Sequence, residues 1–213
     1  QSIGTDGVHR SLAKVSADCQ VAVQAVTTGY NLSGMDLGSG FAQTVKRPSV
    51  LMLMGNGVYG NEAGETWHLL DQRLGMPMTK VDVNQLGRVY WPDYNVVVMV
   101  NGNYNLDKGT TDRIKSWVQS GGTLITFKGA SEWAIKQGLA KVKLVAPDTA
   151  RKAPRADFAD AANAEGAKAI GGSIFQADLD LTNPLGYGFT DRKISVYRNG
   201  LTFLQPSKNP YTN

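Results

Sequence analysis

Three short apolar runs constrain this chain more than any other feature of it. They are "SVLMLMG" (Ser49 to Gly55), "NVVVMVNG" (Asn95 to Gly102) and "TLITFKG" (Thr123 to Gly129). Near-continuous apolar strands fit a parallel sheet covered on both faces, because a one-sided antiparallel sheet alternates apolar and polar residues. "MTKVDV" (Met78 to Val83) is shorter and more polar and reads as an edge strand.

Helical spacing sits between the runs. Ala63, Trp67, Leu70 and Leu74 recur at intervals of four, three and four, with Gly75 as the C-cap. Ile114, Trp117 and Val118 form a second stripe, with Thr110 or Thr111 as its N-cap and Gly121 at its end. Alternating strands and helices predict an α/β fold with a doubly wound parallel sheet, flavodoxin-like in order, and extra flanking strands.

The flanks predict less regular structure. "CQVAVQAV" (Cys19 to Val26) alternates and predicts one edge strand within an extension over residues 1–46. The α/β domain is expected over 47–205. Residues 147–172, rich in Ala and charge, predict a long loop, a broken helix or an insertion. "SIFQADLD" (Ser173 to Asp180) is a strand candidate. "KISVYRNGLTFL" (Lys193 to Leu204) predicts a hairpin turning at Asn199-Gly200. Residues 206–213 read as a tail.

Composition excludes several functions. The net charge is only +4 on 213 residues, and no basic stripe interleaves with aromatics, so nucleic acid is not an expected partner. Cys19 is the single cysteine, which rules out an internal disulfide and a cysteine-based metal site. No apolar run reaches membrane-spanning length. The first ten residues have no signal-peptide pattern and the chain starts at Gln1, so a piece of a longer precursor is expected.

The ordered segments "DLGSG", "KRPSVLMLMGNGVYGNEAGETWHLLDQRLGMPMTKVDV", "YNVVVMVNGNY", "IKSWVQSGGTLITFKGASEWA", "GSIFQADLDLTNPLGYG" and "ISVYRNGLTFL" carry a resemblance. Together they resemble the C-terminal region of bacterial zinc carboxypeptidase-like proteins, large secreted members of the metallocarboxypeptidase family. That region carries a domain similar to class I glutamine amidotransferases. The resemblance implies a flavodoxin-like accessory domain beside a peptidase domain of the same polypeptide. It further implies a periplasmic or secreted location, with zinc bound only in the peptidase domain.

Four candidate sites follow. "TLITFKGASEWAIKQG" has the outline of a nucleophile elbow, with Ser131 as either nucleophile or helix cap. A serine nucleophile needs a base. The only histidines are His9 and His68, and Asn183 stands where the resemblance implies a histidine. The capping role is therefore expected, and no catalytic residue is assigned. "HLLD" (His68 to Asp71) has the spacing of a zinc pair but no third ligand, so no metal site and no cofactor are expected in this chain. Gly55, Gly57 and Gly60 match GxGxxG, with Asp82 as the distant acid. Glu62 and Glu65 at the following helix start oppose a bound phosphate. The fourth site is the crevice beyond the strand ends, with Asn56, Tyr59, Asn101, Tyr104, Ser131 and Glu132 as candidate ligand-binding residues for peptide or carbohydrate. The expected function is a non-catalytic accessory domain that positions or binds substrate. The alternatives are an amidotransferase-like hydrolase using Ser131 and a nucleotide-binding domain.

Overall fold

The computed structural model describes residues 4–41, 45–145, 157–167, 170–200 and 202–206. The chain divides into two units, Gln1–Arg47 and Pro48–Asn213. In the first, α1 spans Thr5–Cys19 and buries no residue. Val8, Leu12 and Val15 make an exposed stripe along it. Gln20 ends the helix in the left-handed conformation. The strand expected at Cys19–Val26 does not form. Cys19 belongs to the helix, and residues 21–26 pair with no strand among the described residues. Period-two alternation makes a strand only where a neighbour supplies the ladder.

In the second unit, β1 (Val50–Met54), β2 (Met78–Asp82), β3 (Val96–Met99) and β4 (Thr123–Thr126) form one four-stranded sheet. The order is β2-β1-β3-β4 and every pairing is parallel. The helices α2 (Gly60–Trp67), α3 (Lys108–Gln119) and α4 (Gly129–Lys136) cover the sheet. Alternate residues of each strand feed opposite faces. Leu51, Leu53, Val97 and Met99 pack with Ile114 and Trp117 of α3 and Ala130, Trp133 and Ala134 of α4. Val50, Met52, Val98 and Val100 pack with Ala63 of α2. Both faces of β1 and β3 are thus buried, as their sequences predict.

β4 departs from that pattern. Ile125 is 41% and Phe127 44% exposed, on the face shared with Val98 and Val100. α2 is the helix on that face, and no described helix packs over β4 there.

The α2 stripe is also cut short. The helix continues into a π-helical turn, His68–Arg73, in which the Leu74 N–H donates to the Leu69 carbonyl. The wider turn adds a residue to the repeat, so the four-residue step from Leu70 no longer returns to the same face. Leu70 is half-buried while Leu74 is exposed.

At α3 the N-cap is Asp107, not Thr110 or Thr111. Its carboxylate accepts from the Thr110 N–H at 2.9 Å and from the Thr110 hydroxyl at 2.6 Å. Both threonines are buried inside the first turn.

The rest of the unit is a two-stranded ribbon. A 3-10 turn, Phe158–Asp160, leads into α5 (Ala161–Gly166). The part of the expected 147–172 loop before residue 157 lies outside the described residues, as do positions 168–169 and the tail from 207. β5 (Ile170–Asp178) pairs antiparallel with β6 (Lys193–Gly200). Asn199-Gly200, the expected hairpin turn, therefore lies at the end of one strand, whose partner precedes it. Arg192 closes the far end with two bonds to Asp178, at 2.8 and 3.1 Å. Beyond β6, Val145 N–H donates to Phe203 O and Gln205 N–H to Lys143 O, both at 2.8 Å. This short ladder ties the ribbon to the segment after α4.

Candidate functional site

Ligands of open α/β sheets bind beyond the carboxyl ends of the strands, where the strand order reverses. That point lies between β1 and β3. Here it is zipped shut. Val58 and Gly102 form an antiparallel bridge. The Tyr59 N–H donates to Asn101 O at 3.0 Å, and the Asn103 N–H to Gly57 O at 2.8 Å. Close approach needs glycine on both sides. A Cβ on Gly57 would stand 2.6 Å from Asn103 O, and one on Gly102 the same distance from Gly57 O.

The open crevice is displaced one strand over, between the ends of β3 and β4. It has a volume of about 230 Å³ and is lined by Asn103, Tyr104, Asn105, Glu132, Trp133 and Lys136, together with Gly102 and Gly129. The Tyr104 and Trp133 rings meet at a centroid distance of 6.3 Å, tilted by 53°.

The turn from β4 into α4 is the elbow expected from the sequence, but its tip is Lys128. That residue has φ 45° and ψ −114°, and is the N-cap of α4. A side chain in this region strains the backbone by about 1–3 kcal/mol. Gly129 follows because a Cβ there would meet Gly102 O at 2.5 Å. Ser131 is not the cap. It lies inside α4, where its hydroxyl donates to Thr126 O at 3.1 Å and contacts Thr126 Oγ1 at 3.0 Å.

Lys128 is the first member of a chain of three polar groups from three elements. Its Nζ lies 2.8 Å from Glu62 Oε1, in the first turn of α2. The same oxygen accepts from Asn101 Nδ2 at 3.3 Å. Asn101, just after β3, uses its Oδ1 to accept from the Gly129 N–H at 3.1 Å. Amine, carboxylate and amide are thus held in sequence, and both ends of the Asn101 side chain are committed.

The first amides of α4 are committed as well. Besides Gly129, the Ala130 N–H donates to Phe127 O at 3.0 Å. Ser131 and Glu132 donate to Lys128 O at 2.9 and 3.2 Å. An elbow that performs acyl transfer keeps such amides free to hold an oxyanion.

Of the six residues singled out from the sequence, the structure brings Tyr104 and Glu132 to the crevice wall. The Tyr104 hydroxyl donates to Val100 O at 2.7 Å, so the residue offers its ring and not a free polar tip. Burial, and then the nearby Glu62 charge, hold its phenol well above the usual tyrosine range. Glu132 accepts from the Thr202 hydroxyl. Asn101 is a latch behind the wall, and Ser131 faces β4. Asn56 and Tyr59 are exposed on the zipped β1–α2 loop.

Sequence reasoning did not find Lys128, and it took Glu62 only as an obstacle to phosphate. The usable signal was the Lys-Gly-Ala step directly after an apolar run, which puts the last residue before the glycine at the tip.

The glycine-rich loop is bonded within the chain. Val58 N–H donates to Gly55 O, Tyr59 N–H to Asn101 O, and Glu62 faces Lys128. A Cβ on Gly55 would strike the Asp82 carboxylate, which therefore packs on the loop. His68 lies exposed on the π turn. Among the described residues, no three His, Cys, Asp or Glu side chains gather, and no helix is long and apolar enough to cross a membrane. No protein-family model, curated protein or solved structure matches this chain.

Proposed function

We propose that the chain is a flavodoxin-like, amidotransferase-like domain that binds and does not hydrolyse. In this view it is the accessory domain of a secreted or periplasmic zinc carboxypeptidase-like protein, holding peptide or glycan substrate for a peptidase domain of the same polypeptide. Zinc belongs to that other domain. The strand order β2-β1-β3-β4 supports the flavodoxin-like reading, since it is four-fifths of the 2-1-3-4-5 order. The sequence resemblance supports the parent.

One observation carries the non-hydrolytic reading. The elbow tip is an ion-paired lysine, and the first four amides of α4 are already bonded within the chain. A tetrahedral intermediate would find neither a serine or cysteine nucleophile nor an oxyanion hole. The crevice instead offers two aromatic rings, the exposed side chains of Asn103 and Asn105, and Lys136. Rings with flanking amides suit sugar faces and peptide backbone.

The test pairs binding with activity. Chemical-shift mapping with short peptides and oligosaccharides is expected to perturb Asn103, Tyr104, Asn105 and Trp133. Turnover of glutamine, ester or peptide substrates that disappears in Ser131→Ala would overturn the proposal. So would ligand binding confined to the β5–β6 ribbon.

A further inference from the structure

We propose that Lys128 is a covalent capture site for small aldehydes, with Glu62 moving the protons and Asn101 positioning Glu62. This goes beyond binding in the crevice and does not depend on it.

The geometry supplies a nucleophile, a base and a group that orients the base, the arrangement by which activated nucleophiles are recognised. Lys128 Nζ and Glu62 Oε1 are 2.8 Å apart, and Asn101 Nδ2 reaches the same oxygen. The amine stands at the tip of a strained turn, on a side chain that is 40% exposed. Glycine would occupy that backbone without strain. The Lys128 Nζ reaches the acid of α2 across the strand ends.

The same geometry selects the electrophile. Acyl transfer needs an oxyanion hole, and the α4 amides are spent. Condensation of an amine with an aldehyde does not need one, because the oxygen is protonated as it forms. The proton first passes from the ammonium to Glu62 along their hydrogen bond. The neutral amine forms a C–N bond to the carbonyl carbon, and the carbonyl π pair moves to oxygen, which takes the proton from Glu62. Nitrogen returns a proton to Glu62, which delivers it to the hydroxyl. The C–O bond breaks and water leaves. The product is a protonated imine still paired with the Glu62 carboxylate. One water is released, nothing is oxidised or reduced, and the charge of the site is unchanged.

The experiment traps the imine. The full chain is exposed at neutral pH to glycolaldehyde with cyanoborohydride, and labelling of each lysine is followed by peptide mass spectrometry. Lys108 is the internal reference, since its side chain is 93% exposed and also ion-paired, to Asp112. Lys128 is expected to label about a hundredfold faster than Lys108, the low end of what a positioned acid–base group contributes. Labelling of Lys128 no faster than Lys108 in the wild-type chain overturns the proposal, and that comparison needs no variant to fold. In Glu62→Gln, with folding checked by circular dichroism, the rate at Lys128 is expected to fall to that of Lys108. An unchanged preference there also overturns it.

Discussion

The backbone N–H of Asn103 donates to the carbonyl of Gly57 at 2.8 Å. This bond joins the loop after β1 to the loop after β3, at the point where the strand order reverses and a cleft would otherwise open. It closes that point, and it depends on glycine.

Gly102→Ala is expected to destabilise the second unit by about 1–3 kcal/mol, the usual range for overpacking. The added Cβ would lie 2.6 Å from Gly57 O and 3.1 Å from Val58 Cα, and both are backbone atoms that cannot swing aside. Gly64→Ala is the control. It sits within α2 with nothing inside 4 Å of its Cβ, so it is expected to be neutral or to stabilise by up to about 1 kcal/mol. Urea denaturation of both variants checks the contrast. Equal effects would mean the zip is not tight.

The strands of the sheet were legible because burial on two faces leaves a direct mark on composition. Leu51, Met52, Leu53, Val97 and Val98 have almost no exposed surface, and each lies in an apolar run. β2 was legible for the opposite reason, since its polar pattern fits an edge. What escaped was set by distant partners. The Asn199-Gly200 pair has turn chemistry, yet it ends β6, because Ile170 pairs with Gly200. The π turn after Trp67 moved Leu74 off its stripe, and no local residue announces it. The elbow tip was misplaced by three residues. Ser131 looked reactive by type, whereas backbone torsion selects Lys128, and its one sequence mark is the glycine that follows.

Two tryptophans give a differential test. The Trp91 and Trp117 rings meet at a centroid distance of 6.0 Å, tilted by 54°, each residue 9% exposed. Trp117 Nε1 donates to Tyr94 O at 3.0 Å, whereas the buried Trp91 Nε1 has no partner among the described residues. Replacement by Phe removes similar apolar area at either site, but only at 117 does it break a bond. Trp117→Phe is therefore expected to cost about 1 kcal/mol more than Trp91→Phe. Equal losses in thermal and urea denaturation would show that the bond contributes nothing net.

Tyr104 makes alkaline stability a readout of the crevice wall. Its folded pKa is raised above the unfolded value, first by burial and then by Glu62. The unfolded chain therefore loses this proton more readily than the folded one. The contribution is fully present below about pH 10 and is lost as pH rises beyond it, by at most about 1.4 kcal/mol per unit. Tyr104→Phe is expected to flatten this alkaline slope while losing about 1 kcal/mol at neutral pH with the bond to Val100 O. A slope that persists unchanged in the variant would assign it to another group.

The strain at Lys128 can be separated from its ion pair by two substitutions. At φ 45° and ψ −114°, any residue with a Cβ is strained by about 1–3 kcal/mol, and glycine is not. Lys128→Ala keeps the strain and loses the pair with Glu62. Both partners are partly exposed, at 40% and 27%, so that loss is at most about 1 kcal/mol. Lys128→Gly loses the same pair but removes the strain, against a chain-entropy term of about 0.5–1 kcal/mol. The Lys128→Gly variant is expected to be more stable than Lys128→Ala by about 1 kcal/mol, and close to the wild type. Added salt screens the exposed pair and is expected to narrow the gap between wild type and Lys128→Ala, while leaving the difference between the two variants in place. Denaturation midpoints at low and high salt measure both. If the alanine variant proves as stable as the glycine variant, the turn is not strained, and the lysine needs no special explanation. If the glycine variant proves more stable than the wild type, the lysine is kept at that turn against stability, the pattern expected of a residue that acts on a ligand.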